Sequence, residues 1–142
     1  MIKVFVDKVG LDIESEQAIV LLKEVQGDTV LPIWVGPAEA TAIALSVQGV
    51  GTSRPLTSDL LKEVIVQLKA RVERVYVSEF KEHTFFAQLV LNHAGHQLEI
   101  DCRPSDAIAL ALRTEAPIFV SEAVLQEAGV VAEEDDATGL VH

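Results

Sequence analysis

Apolar and polar positions change rhythm along the chain, and each change marks an element. Over residues 2–13, Ile2, Val4 and Val6 alternate with Lys3, Phe5 and Asp7, and residues 17–25 form a second, almost wholly apolar run. The pair reads as a strand hairpin turning near Glu14-Ser15-Glu16. Gln26-Gly27-Asp28 signals another turn, and Thr29 to Val35 a third strand whose Pro32 predicts an edge position or a bulge. Gly36-Pro37-Ala38-Glu39 then opens an alanine-rich helix running to about Val47 and stopped by Gly49-Val50-Gly51.

The next helix is the most strongly patterned. Thr57 is its expected N-cap, Leu60, Leu61, Val64, Ile65 and Leu68 make one apolar stripe, and Lys62, Glu63 and Lys69 face out. Val72 to Phe80, Thr84 to Asn92 and Gln97 to Arg103 predict an antiparallel meander with turns at Lys81-Glu82-His83 and His93-Ala94-Gly95-His96. In its last strand Leu98, Ile100 and Cys102 point one way and Glu99, Asp101 and Arg103 the other. Residues 105–114 read as a second apolar helix, Pro117 to Val120 as a short strand, and Ser121 to Ala128 as a helix stopped by Gly129.

This order predicts an α+β domain: a mainly antiparallel or mixed sheet packed with about four helices. A meander plus an apolar helix occurs in each half, so an internal duplication is a possible origin. A length of 142 residues, 49% apolar, fits one domain over residues 1–130, leaving 131–142 as an acidic and expectedly flexible C-terminal tail. No run reaches the roughly 20 apolar residues of a membrane span, and residues 2–13 enter a strand with no signal-peptide layout. A single cysteine, Cys102, allows no internal disulfide and reads as a packed thiol; a cytoplasmic location is expected.

The formal net charge is −11, part of it in Glu133, Glu134, Asp135 and Asp136. An acidic body argues against broad duplex binding through massed Lys and Arg, so nucleic-acid chemistry would need a local cationic site or metal ions. One phrase, occurring twice, could supply it: Arg54-Pro55-Leu56-Thr57-Ser58-Asp59 and Asp101-Cys102-Arg103-Pro104-Ser105-Asp106. Each brings a cation and a carboxylate to a helix start, where unpaired N–H groups favour anions.

Two readings of these phrases stay open. In one, Asp101 and Asp106 ligate Mg²⁺ or Mn²⁺, Arg103 binds a phosphate, and Glu39 and Asp59 are further metal-side carboxylates, with Arg54 and Ser105 on the substrate. In the other, Ser105 and the aspartates cap helices and Arg103 pairs with Asp101 or Glu39. Trp34, in an apolar strand, is expected in the core, with base stacking as the alternative. His93 and His96 read as solvated turn residues, as do Asp12, Glu14 and Glu16. Phosphate-loop, serine-elbow and zinc-finger spacings are missing from the sequence.

Leu31-Pro32-Ile33-Trp34-Val35-Gly36-Pro37-Ala38-Glu39-Ala40, Arg54-Pro55-Leu56-Thr57-Ser58-Asp59-Leu60-Leu61 and Ile100-Asp101-Cys102-Arg103-Pro104-Ser105-Asp106-Ala107-Ile108-Ala109-Leu110-Ala111 together resemble the bifunctional nuclease domain family, in order and spacing, from about residue 2 to about residue 130. The resemblance implies a compact α+β domain and DNase and RNase activity of low sequence preference; it assigns no catalytic roles. It leaves two function classes: a metal-dependent nuclease acting on single- or double-stranded nucleic acid, and a non-catalytic anion- or partner-binding module. A homo-oligomer, with a dimer favoured, is expected in either case.

Overall fold

The computed structural model describes residues 1–12 and 14–131. Its strands are β1 (Ile2–Asp12), β2 (Gln17–Glu24), β3 (Thr29–Val35), β4 (Ala70–Lys81), β5 (Thr84–His93), β6 (His96–Cys102), β7 (Ile118–Val120) and β8 (Val130–Val131). Its helices are α1 (Pro37–Gln48), α2 (Thr57–Gln67), α3 (Pro104–Thr114) and α4 (Glu122–Ala128). The strands form one mixed sheet in the order β6-β5-β4-β7-β1-β2-β3-β8, antiparallel except where β4 runs parallel to β7. The α+β class with four helices is therefore as the sequence predicts, and short β7 joins two meanders that the sequence had left separate. The acidic tail from 132 onward lies outside the described residues.

Three register shifts bend the strands: one in β1 between Val6 and Lys8, and two in β4, between Val72 and Arg74 and between Val77 and Glu79. Each inserts an extra residue, which raises local twist and curl. β3 and β5 are five strand steps apart, about 24 Å on a flat sheet. Yet residues of both line one cavity of about 740 Å³, and α4 packs on β3 and β4 together. The sheet therefore curls around its helices.

α3 is the centre of the core. Ala107, Ile108, Ala109, Leu110 and Ala111 are all buried, with Ile108 and Leu110 almost fully enclosed, and the helix packs against α1, α2, β4 and β5. Alanines on either side of the two large residues let neighbouring helices come close, so burial extends round the helix. Its last turn holds Arg113, whose side chain is only 8% exposed. Nε donates to Asp59 Oδ1 at 2.8 Å, Nη1 to the Ala109 carbonyl at 3.0 Å and Nη2 to the Ala42 carbonyl at 3.1 Å. One guanidinium thus ties α3 to both flanking helices. Elsewhere Glu73 of β4 accepts from Asn92 of β5 (2.9 Å) and Gln97 of β6 (3.1 Å), fastening the edge strand to the sheet.

Several helix ends differ from expectation. Thr57 is the first helical residue of α2 and Leu56 its N-cap; the capping atom comes from Asp59, whose Oδ2 accepts from the Leu56 N–H at 2.8 Å. At α3 the N-cap is Arg103, with Pro104 in the first turn and Ser105 buried. A hydroxyl one residue inside a helix faces its own turn, so it cannot reach the free N–H groups that a preceding residue reaches. Ser121 does cap α4, accepting from Val124 N–H at 3.0 Å. Pro32 stands where β3 is open on one side, since β8 pairs only with Thr29 and Val30. That is the edge position its missing N–H requires.

The Leu56 N–H, then the Arg113 hydrogen bond and charge, hold the Asp59 carboxyl below its usual range, against an opposing effect of burial. A folded-state value below the unfolded one contributes stability at neutral pH that disappears as pH falls through the folded value, below about pH 4. Urea unfolding of wild type and Asp59→Asn should accordingly give separated midpoints at pH 7 that draw together as the pH is lowered below about 4.

Candidate functional site

The cavity between the curled margins is walled by Pro32 to Val35 of β3, by Phe80, His83 and Phe85 of the β4–β5 hairpin, and by Glu39, Arg103, Pro104 and Ser105 at two helix starts. Phe80 and Phe85 stack with centroids 4.4 Å apart, and His83 meets Phe80 edge-on at 6.4 Å. An apolar wall with a few polar groups at one end is the usual build of a ligand site.

Those polar groups centre on Arg103. Its Nε and Nη2 hold Asp106 Oδ2 and Oδ1 at 2.9 and 3.2 Å, a two-pronged pair, while Nη1 lies 4.0 Å from Glu39 Oε1. β6 delivers Arg103 to the start of α3, and β3 delivers Glu39 to the first turn of α1. Gly36 leaves room for the present position of that carboxylate: a Cβ there would meet Glu39 Oε1 and push the flexible side chain aside. Hydrogen bonds from Arg103 to Asp106, then the charge of Asp106 and of Glu39, push the guanidinium's affinity for its proton still higher. Because the Arg103 side chain is 66% exposed, the pair adds little to stability, under about 1 kcal/mol. It keeps a fixed cation accessible, and a planar fork that grips a carboxylate in two places can grip a phosphate in the same way.

Among the described residues no three His, Cys, Asp or Glu side chains converge as a metal cluster. Glu39 and Asp106 are nonetheless two carboxylates sharing one arginine, and Mg²⁺ characteristically takes one or two carboxylates, keeping waters and substrate phosphates as its other ligands. The donors are oxygens, which suit Mg²⁺ or Mn²⁺ better than zinc.

Other sequence candidates lie elsewhere. Asp101 is exposed on β6 opposite Gln88, and its carboxylate makes no ion pair among the described residues; its charge reaches the neighbouring Cys102. Asp59 is held by Arg113 and Leu56 and borders a second cavity of about 420 Å³ with Leu45, Thr52 and Pro55, which shares no lining residue with the first. Arg54 is exposed in the loop before α2, its carbonyl accepting from Thr52 Oγ1 at 2.6 Å. The two Arg-Pro phrases therefore open onto different cavities, and Asp59 is paired with Arg113 rather than Arg54. Burial pushes the Cys102 thiol up to about 11, aided by Asp101 and Asp106, so it carries little thiolate and agrees with a packed role. His93 and His96 face each other, exposed, across the β5–β6 turn. Asp12 Oδ1 accepts from Glu14 N–H at 3.2 Å, a turn role.

Trp34 corrects an expectation: it is 60% exposed, not core. It alternates with buried Ile33 and so stands on the opposite face of β3. Four residues were missed from sequence. Phe80 and Phe85 looked like ordinary strand residues, and His83 like a turn residue; only the curl of the sheet sets them beside Arg103. Arg113 carried one signal, a lone cation in the last turn of a wholly apolar helix face.

The sequence matches the family model of the bifunctional nuclease domain over residues 20–133, and the chain belongs to that family. It is 43% identical over 125 residues to a Mycobacterium tuberculosis protein named Uncharacterized protein Rv1829, covering 87% of this chain and 74% of that one. It is 32% identical over 114 residues to Bifunctional nuclease 1 of Arabidopsis thaliana (78% of this chain, 35% of that one) and 30% identical over 118 residues to Bifunctional nuclease 2 of Oryza sativa subsp. japonica (81% and 36%). The chain thus spans about a third of the length of these plant relatives.

The sequence contains one tryptophan, so its fluorescence reports Trp34 alone. Acrylamide should quench native and urea-unfolded protein to a similar degree; strong protection in the native state would contradict an exposed indole.

Proposed function

We propose that this protein is a divalent-metal-dependent nuclease that hydrolyses phosphodiester bonds with low sequence preference at the Arg103 cavity. The observation that carries this reading is one arginine shared by two carboxylates, Asp106 and Glu39, at the mouth of an aromatic-walled cavity, in a chain of the bifunctional nuclease family. Arg103 would exchange part of its hold on Asp106 for a phosphate oxygen and offset the charge that builds on the phosphorus-bound oxygens. Asp106 and Glu39 would hold Mg²⁺ or Mn²⁺, which when bound lowers the pKa of a water and neutralises phosphate charge. Asp101, on the strand leading into Arg103, adds negative charge beside this pair, and exposed Arg54 would meet a more distant phosphate. Ser105 lines the same cavity, whereas Asp59 is left to structure because both its oxygens are engaged. No helix among the described residues is long and apolar enough to cross a membrane; a reducing, cytoplasmic setting agrees with the single packed thiol.

A second reading, a non-catalytic module that binds an anionic ligand or partner and self-associates, is favoured by the lack of a three-ligand cluster among the described residues. The two separate in one assay set. Purified protein with Mn²⁺ or Mg²⁺ should cleave labelled DNA and RNA oligonucleotides, and Arg103→Ala and Asp106→Asn should each lower kcat/KM about a hundredfold or more with little change in unfolding midpoint. Gly36→Ala should also impair cleavage, by displacing Glu39. Oligonucleotide binding that depends on Arg103, with no cleavage under any metal condition, would establish the module instead.

A further inference from the structure

The wall of the Arg103 cavity is richer than a phosphate needs. Phe80 and Phe85 are half-buried, packed against the core cluster on one side and lining the cavity on the other, and exposed His83 meets Phe80 edge-on at 6.4 Å. Pro32, Ile33 and Val35 of β3 give the cavity its other apolar lining. An arginine with its carboxylates would serve a phosphate on an open surface. The apolar recess beside them calls for a second, flat and apolar part of the ligand.

Two further observations point the same way. The β4–β5 turn is built on Glu82 (φ 51°) and His83 (φ 62°), both in the left-handed region; in the neighbouring β5–β6 turn those positions are held by Ala94 (φ 53°) and Gly95 (φ 81°). Two-residue turns of this shape favour glycine at the second position, and a side chain there carries strain. His83 carries it, and its ring ends on the cavity wall. Ser105 is 7% exposed and lines the same cavity, and its hydroxyl makes no hydrogen bond among the described residues. A buried hydroxyl without a partner is costly, and the polar edge of a ligand would satisfy it.

We propose that this recess receives an unpaired nucleobase, which makes single-stranded nucleic acid the preferred ligand of the site and His83 and Phe85 the residues that select it. The inference rests on the reading of the cavity as a nucleic-acid site and names the form of strand that it takes. In a duplex each base is paired and stacked inside, so only sugar and phosphate reach a recess that lies beside the phosphate contact. An unpaired nucleotide turns its base outward, where an aromatic wall can hold it. Stacking also supplies what the electrostatics of this chain lack. With a net charge of −11 the protein gains little from massed phosphate contacts, whereas stacking owes nothing to charge. Every base has a π face, so such a wall agrees with low sequence preference.

Equilibrium binding in Ca²⁺, followed by the anisotropy of a labelled oligonucleotide, tests this beside cleavage in Mn²⁺. A single strand should bind about fivefold or more tightly than the same sequence as a duplex, and an abasic strand with the same phosphates should lose that advantage. His83→Gly and Phe85→Ala should each weaken single-strand binding about fivefold or more and leave duplex binding unchanged. Phe86→Ala, on the opposite face of β5 and outside the cavity lining, should change neither. His83→Gly should also unfold at a urea midpoint no lower than that of wild type, because glycine accepts the left-handed turn without strain. That variant separates a ligand role from a structural one and serves where Phe85→Ala, packed on the core, fails to fold. Base-dependent binding without cleavage would uphold this inference and overturn the nuclease reading. Equal binding of single strand, duplex and abasic strand would overturn the inference, even where all three are cleaved. So would a His83→Gly protein that binds as wild type does, or that loses binding only together with stability.

Discussion

The structure depends on the burial of α3. A helix can sit at the centre of so small a domain only if it is apolar on nearly all sides and thin enough for neighbours to approach, and alternating alanines with Ile108 and Leu110 meet both conditions. Its polar obligations are pushed to the ends. At one end Arg113 enters the interior, where it binds the Asp59 carboxylate and the Ala109 and Ala42 carbonyls; at the other Arg103 remains in solvent. The same residue type thus does opposite work at the two ends. Buried, it satisfies three acceptors on α1, α2 and α3 and fixes their packing; exposed, it offers a charge that packing does not need.

Curling of the sheet converts that helix into a site. Bulges in β1 and β4 let margins five strands apart converge on the start of α3, so an aromatic wall from one meander faces Arg103 and Glu39 from two helix starts. For a protein this acidic, electrostatics must be local. Arg103 lies between Asp106 and Glu39, and that trio has a net negative charge that a divalent ion would reverse, turning an unwelcoming mouth into one that accepts a phosphodiester.

Much of this was legible in the sequence because it rested on local rules. Period-two alternation located the strands, Gly-Pro and Arg-Pro located helix starts, and Pro32 located an open edge. What failed depended on distance. Thr57 looks like a cap, but Asp59 reaches back to Leu56 and takes that role while also serving Arg113, a partner 54 residues away. Trp34 looks like core until alternation with buried Ile33 sets it on the outer face of β3. The α2 stripe was read correctly as a pattern, and its exposure at Leu60, Leu61, Val64 and Leu68 could not be foreseen, since periodicity says that a face will be covered and not by what. In the site, Arg103, Glu39 and Asp106 were identified from their motifs, whereas His83 and the phenylalanines required the curl, and Asp59 belonged to another cavity.

The division of labour between the ends of α3 is the central claim, and side-by-side urea unfolding of Arg113→Met and Arg103→Met tests it most directly. The account predicts a loss of about 2–4 kcal/mol for Arg113→Met, which strands the Ala42 and Ala109 carbonyls and the Asp59 carboxylate. Arg103→Met should lose less than about 1 kcal/mol. Equal losses, or a larger one at Arg103, would contradict it.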